Sequence, residues 1–383
     1  MTRKLYYEDC HLARFTAHVV ACEEAKDGWL VTLDATAFYP EGGGQACDTG
    51  TLNGMPVTDV REQGEEVVHL CAGALEVGAE VEGVIDYDRR FDLMQQHTGE
   101  HIVSGIVNRR YGYHNTGFHI GADVIQIDFD GVIPAADLAS IEAEVNAALW
   151  ADIPVRCWYP SPEELPQVFY RTKRALPWPV RIVEVPGYDA CACCGVHVKR
   201  TGEVGIVKLF TVYGLRGGSR VELACGKRAL AMLSAAYDQN RQVSQAFSVP
   251  VWETGEAARK MNEALAGEKF RSAELWKRLF RGMAEEYRGQ ANALCFQADL
   301  ESVQVRELAD EIAGGVSGMA AVFSGSDDVG YSYCLVSRDG DLRPFGKAMT
   351  QALSGRGGGK PGFQQGRVSA TEQQIRDFFR DNL

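Results

Sequence analysis

Asp92-Leu-Met-Gln-Gln-His-Thr-Gly-Glu-His101-Ile-Val-Ser-Gly-Ile-Val107 reads as one helix carrying two histidines four residues apart. Residues i and i+4 sit one turn apart on the same helix face, so His97 and His101 can grip a single ion without bending the backbone. Leu93 precedes them on that stripe. The neighbouring stripe of Ile102, Val103, Ile106 and Val107 is apolar, which predicts a buried, rigid helix. Asp92, with Gln95 three residues on, is expected to form a variant capping box at its start. Far along the chain, Cys193-Cys-Gly-Val-His197 again spaces two metal-binding side chains by four residues. His97, His101, Cys193 and His197 together read as one zinc site.

Working outward, residues 1 to 87 read as antiparallel strands forming a small β-barrel. Asp27-Gly28 and Asn53-Gly54 are hairpin-turn signals, and residues 29–33 have strand composition. From 88 to 240 the pattern mixes helix and strand, with a helix over 138–150 and strands over 181–185 and 204–210 that flank the second ligand motif. Residues 257–288 carry Leu265, Phe270, Leu275, Leu279 and Met283 at helical spacing and read as a helical arm or a dimer-forming hairpin. Beyond 291, strand-like runs at 320–324 and 331–336 lead to the glycine-rich stretch 354–361. The expected fold is therefore α+β: a barrel domain (1–87), a zinc-containing core (88–240), a helical arm (241–290) and a small C-terminal α/β domain (291–383).

With 383 residues and 45% hydrophobic content, the chain can bury a substantial core in two or three domains. No apolar run is long enough to span a bilayer, and the first nine residues lack the apolar stretch of a signal peptide, which predicts a cytoplasmic protein. Eleven cysteines, odd in number and irregular in spacing, argue against a disulfide framework and point the Cys191, Cys193, Cys194 cluster toward metal binding. The net charge of -13 excludes adhesion to nucleic acid through the overall field. RNA contact must then come from local patches: Arg171, Lys173 and Arg174; Lys199 and Arg200; or Arg356, Lys360 and Arg367.

Upstream of the first ligand pair stands Thr36-Ala-Phe-Tyr-Pro-Glu-Gly-Gly-Gly-Gln45-Ala-Cys-Asp-Thr-Gly50, a strand end running into a glycine loop whose backbone N–H groups can approach a ligand closely. This loop, then His-x-x-x-His, then Ala-Cys-x-Gly-x-His-Val, in that order, resembles the editing domain of alanyl-tRNA synthetases and the freestanding alanyl-tRNA editing proteins. Further on, Gly357-Gly-Gly-Lys-Pro361 and Phe363-Gln-Gln-Gly366 look like the signature of the domain that follows the editing domain there and also follows DHH phosphoesterase domains. No Asp-His-His motif occurs. The chain thus resembles the long form of the freestanding editor, with a tail that binds tRNA or dimerises; Arg356, Lys360 and Arg367 become candidate tRNA contacts.

The resemblance implies zinc-dependent, ATP-independent hydrolysis of the ester joining a wrong amino acid to tRNA(Ala), chiefly serine, with glycine as a second candidate. The physics agrees: a small pocket discriminates weakly against one hydroxyl or methyl, so a second hydrolytic site is needed. Serine is larger than alanine, so a polar group satisfied only by the substrate hydroxyl must do the sorting. Thr36 matches the family threonine and is the candidate for that role. Gln45 and the backbone of Gly43 and Gly44 are candidates for orienting the carbonyl or water. Whether the four-ligand shell opens during reaction stays undecided at this level. Glu100 precedes the second histidine, which is not the His-Glu-x-x-His arrangement, and is expected to be exposed or behind the ligands. The family usually has Cys-Gly-Gly-Thr-His where this chain has Cys193-Cys-Gly-Val-His197. Spacing favours Cys193 over Cys194 as ligand, and Val196 changes the pocket's polarity. Two other readings are a Ser-tRNA(Thr) editor, through the related domain of threonyl-tRNA synthetases, and a non-catalytic tRNA-binding adaptor with structural zinc.

Overall fold

Along the strand Arg14–Ala25, Phe15, Ala17 and Val19 point inward while Arg14, Thr16, His18 and Val20 face solvent, the period-two pattern of a sheet with one buried face. Five more strands, Gly28–Leu33, Glu66–Cys71, Met55–Gln63, Gly50–Leu52 and Glu80–Ile85, continue the sheet in that spatial order. The last pairs back onto the first, so the sheet closes into a barrel. Its interior is filled by Val31, Leu33, Leu52, Val60, Val67 and Val81. Asn53 and Gly54, at φ 48° and 77°, form the two-residue turn that joins two of these strands. The other expected turn falls on Lys26-Asp27, with Gly28 already in the next strand.

The computed structural model describes residues 1–172, 176 and 178–383; Lys173 and Arg174 of the first basic patch lie outside the described residues. The chain is α+β and divides into two units, Met1–Gln242 and Val243–Leu383.

The histidine-bearing helix spans Tyr87–Tyr111. It starts earlier than its sequence suggests, because Asp86 is the true N-cap, accepting from the Arg89 N–H at 3.2 Å. Asp92 lies in the second turn and instead receives the Arg228 guanidinium. From Leu93 to Val107 the helix is buried on every side. Its polar residues therefore need partners: Gln96 exchanges hydrogen bonds with the backbone of Cys225, and Gln95 donates to Glu203 O. Against it pack the helix Leu138–Trp150 and two antiparallel sheets. One has the order Val207–Leu215, Gly218–Cys225, Ile125–Phe129, Asn115–Ile120; the other is Arg156–Trp158, Ile182–Val185, Asp189–Ala192. The strand expected from 204 begins at Val207, since Thr201–Val204 forms a 3-10 turn.

In the second unit, the strand Ala293–Phe296 runs parallel to Met319–Ser326, followed by antiparallel Gly330–Ser337, Phe363–Val368 and the edge strand Arg356–Lys360. The glycine-rich stretch is thus a paired strand. The long helix Thr254–Glu285 packs through Trp276, Phe280 and Met283, whereas Leu265, Phe270, Leu275 and Leu279 are exposed. Among the described residues, no helix is long and apolar enough to cross a membrane.

Candidate metal centre and its cavity

The four ligand-type atoms of His97, His101, Cys193 and His197 lie within 4.8 Å of one another, and all three histidines are buried. The helix supplies the first pair from successive turns. The second pair sits on the loop after the strand Asp189–Ala192, where the Arg181 guanidinium grips two carbonyls, Cys193 O and Gly195 O, each at 2.9 Å. Cys193 Sγ stands 3.4 Å from His97 Nε2 and accepts from the Gly195 N–H at 3.3 Å. Cys194 is exposed, and its carbonyl accepts from the Tyr7 hydroxyl.

Two of the imidazoles are hydrogen-bonded from behind, and the third faces a carboxylate. His97 Nδ1 is 2.8 Å from Gln45 Oε1, an acceptor, so this nitrogen carries the proton and Nε2 is left facing the cluster. His101 Nδ1 stands 3.1 Å from Asp189 Oδ2, and Asp189 is in turn clamped by Arg171 through bonds of 2.6 and 2.8 Å. His197 Nδ1 meets the Thr98 hydroxyl at 3.2 Å, while its Nε2 is buried without a partner among the described residues. Such outer partners fix the tautomer and aim of metal-ligating histidines. A three-histidine, one-thiolate set with an orphaned nitrogen at its centre fits a borderline divalent ion.

The electrostatics differ from residue to residue. Burial alone would push the Cys193 thiol up, but the charge of His97 and the hydrogen bond and charge of His101 hold it well below the ordinary thiol range. Burial opposes charging of His101, yet the bonds to Asp189 and Cys193 raise it well above the usual histidine value. Burial, reinforced by the charges of His97 and His101, holds His197 well below it. A metal needs a thiolate and neutral imidazoles, so Cys193 and His197 already hold the required forms, whereas a bound ion would have to displace the proton that Asp189 and Cys193 stabilise on His101.

The glycine loop reaches the cluster as a tight turn: Gly42 and Gln45 exchange backbone hydrogen bonds around Gly43 and Gly44, whose φ values of 57° and 82° suit glycine. Gly43 lines a cavity of about 500 Å³ with His101, Cys193, Phe118, Asn115 and Glu100. Gln45 is buried behind His97, and its Nε2 has no partner among the described residues. Thr36 is placed elsewhere. Its hydroxyl donates to His69 Nε2 at 2.8 Å and accepts from the Phe38 N–H at 3.1 Å, and it is not among the residues lining the cavity. Burial pulls His69 down to about 4, so it is a neutral acceptor.

Several residues take roles that local sequence did not signal. Arg171 is largely buried on Asp189, Lys199 pairs with Asp9, and Arg200 pairs with Asp152, so these are not free basic surface. Glu100 is not exposed: it is 4% exposed, on the cavity wall, with Oε2 3.9 Å from His101 Nε2. Asp48 and Arg90 form a fully buried ion pair that ties the glycine loop to the helix. Asp48 also accepts from the Tyr39 N–H at 2.5 Å.

Two family profiles match the chain: "tRNA synthetases class II (A)" over residues 2–89, and "Threonyl and Alanyl tRNA synthetase second additional domain" over residues 180–222, which contains Cys193 and His197. The chain is 27% identical to the alanyl-tRNA editing protein Aarsd1 of Danio rerio, over 94% of this chain and 93% of that protein. It is 28% identical to the alanyl-tRNA editing protein AlaX-L of Pyrococcus horikoshii, over 100% and 98%. It is 32% identical to the alanine–tRNA ligase of Thermofilum pendens over 97% of this chain, but that spans only 43% of the ligase. The match to freestanding alanyl-tRNA editing proteins runs almost end to end, and one of the two profiles covers Cys193 and His197, so these editors are what the chain is similar to over its whole length.

Proposed function

We propose that this protein is an aminoacyl-tRNA deacylase that clears mischarged tRNA(Ala) in trans, chiefly of serine and secondarily of glycine, with zinc held by His97, His101, Cys193 and His197. The observation that carries the proposal is the four-ligand cluster, each ring pre-aimed by a partner, opening beside the glycine turn onto one cavity. When bound, zinc would polarise the ester carbonyl or position water. The reaction is hydrolysis: water oxygen adds to the carbonyl carbon, the bond to the terminal ribose oxygen breaks, and that oxygen takes the proton. The ester is already activated, so alignment supplies much of the rate. Gln45 holds His97 through Oε1 and offers its unpaired Nε2–H to the carbonyl or water, with Gly43 and Gly44 letting the chain approach. For Thr36 the supported role is positioning: its hydroxyl pins His69 and the backbone at Phe38, where the chain leaves the barrel for the loop. The eleven cysteines are unpaired thiols, which supports a reducing, cytoplasmic setting.

The test is release of amino acid from seryl-, glycyl- and alanyl-tRNA(Ala), and from seryl-tRNA(Thr), by wild type and Cys193→Ala with zinc content measured alongside. Serine release from tRNA(Ala), sparing the alanyl ester and seryl-tRNA(Thr) and lost with the metal, is the expected result. Stable esters throughout, with zinc bound and the protein folded, would leave the adaptor reading standing.

We assign tRNA backbone contact to Arg356, Lys360 and Arg367. All three are exposed; Arg356 and Arg367 face each other across the edge hairpin, and Arg367 is braced on Val329 O. With glycine at 357–359, no side chain screens the strand between Arg356 and Lys360. Replacing all three by glutamine is expected to lower the slope of log affinity against log salt by about 2–3. An unchanged slope in filter binding at several salt concentrations would remove the tail from RNA contact.

A further inference from the structure

The cavity beside the ligand cluster has an acceptor-rich end that the ligands do not use. Glu100 is 4% exposed and Asn115 9% exposed, and both line the cavity. Glu100 Oε1 is committed twice, accepting from the Ser104 hydroxyl and from Asn115 Nδ2, each at 2.5 Å. That leaves Oε2 open, 3.9 Å from His101 Nε2. Donation by its Nδ2 also turns the Asn115 amide so that Oδ1 is buried without a partner among the described residues. A buried acceptor with nothing to accept from carries a penalty that a bound donor would remove. Among the described lining residues, the only guanidinium or ammonium is Arg171, whose Nε and Nη2 already meet the two oxygens of Asp189. A carboxylate oxygen and an unpartnered amide oxygen on the lining of one cavity suit a compact cation with several N–H donors.

Resting on the editing reading, we propose that Glu100 Oε2 and Asn115 Oδ1 bind the α-ammonium group of the aminoacyl ester and so determine that the site takes aminoacyl rather than other acyl groups. The geometry connects this to the reaction. The ammonium nitrogen is two bonds from the ester carbonyl carbon, and Glu100 is the immediate neighbour of the ligand His101. An ammonium seated on Glu100 therefore sets the carbonyl at the edge of the ligand cluster. Ser104, one turn further along the same helix, is then a positioning residue that turns the carboxylate.

The experiment compares seryl-tRNA(Ala) with its isosteric glyceryl ester, in which the α-amino group is replaced by hydroxyl, using wild type and Glu100→Gln with zinc content measured for both. Wild type is expected to favour the seryl ester roughly ten- to hundredfold in KM, the range of a charge-assisted hydrogen bond. Glu100→Gln should bring that ratio close to one while zinc content stays unchanged. The wild-type comparison stands even if the variant folds poorly, and Asn115→Ala should lower the ratio part of the way. Equal KM for both esters in wild type would overturn the inference and leave the editing reading intact. So would a Glu100→Gln enzyme that loses kcat but keeps the preference. If wild type clears neither ester, the editing reading falls and takes this inference with it.

Discussion

Arg90→Met is expected to destabilise the protein by about 3–5 kcal/mol in urea unfolding, the cost of stranding a buried charge. Arg90 and Asp48 are both 0% exposed. The guanidinium meets both Asp48 oxygens through Nε and also donates to the carbonyls of Cys10 and Ala37. Methionine fills similar volume, so the loss isolates the charge rather than a cavity. The double variant Arg90→Met, Asp48→Leu removes both charges and is expected to recover part of the loss, although the Tyr39 N–H then loses its acceptor. A single variant that loses less than about 1 kcal/mol would show the pair to be exposed to water in solution. The effect reaches the site, because Asp48 lies three residues after Gln45. Loosening this anchor frees the loop that presents Gln45 to His97, so ester hydrolysis should fall further than unfolding alone explains.

That ion pair also shows where a sequence stops being readable. The helix around His97 was legible because its signals are local: ligands at i and i+4, then an apolar stripe. The helix over 138–150 was legible for the same reason, as was the Asn53-Gly54 turn. Contacts such as Arg90–Asp48 and Arg171–Asp189–His101 leave no local trace, since no spacing rule links residues brought together by tertiary packing. Arg171, Lys199 and Arg200 were misleading on the same account: a basic residue in the sequence shows charge but not the Asp across the fold that pairs with it. Glu100 was left between an exposed place and one behind the ligands, because the Ser104 and Asn115 donors that make its burial tolerable leave no local trace. The helix start shifted because Asp86 and Asp92 both suit an N-cap, and position relative to the barrel's last strand decided between them. In the tail, glycine content names no secondary structure; pairing with Phe363–Val368 makes Arg356–Lys360 an edge strand of the sheet.

Gly195→Ala is expected to empty the metal site, lowering zinc affinity at least about a hundredfold, the upper end of what disturbing a ligand's support costs. A Cβ built at Gly195 would lie 2.1 Å from His97 Cε1 and 2.4 Å from its Nδ1, far inside van der Waals contact. The ring has no retreat: Gln45 Oε1 holds its Nδ1 from behind, and Phe118 lies against it with ring centroids 5.2 Å apart. The loop is equally restrained, because Arg181 holds the carbonyls on either side of Cys194. The single added methyl must therefore displace either His97 or Cys193, and each is a proposed ligand. Cys194→Ala is the paired control, since its side chain is exposed and the backbone carbonyl it uses is unchanged. Zinc measured per protein after dialysis against a weak chelator should be near wild type for Cys194→Ala and near zero for Gly195→Ala. Retention of zinc by Gly195→Ala would mean that whichever of His97 and Cys193 gives way is dispensable for binding, and loss by Cys194→Ala would transfer the thiolate role from Cys193 to its neighbour.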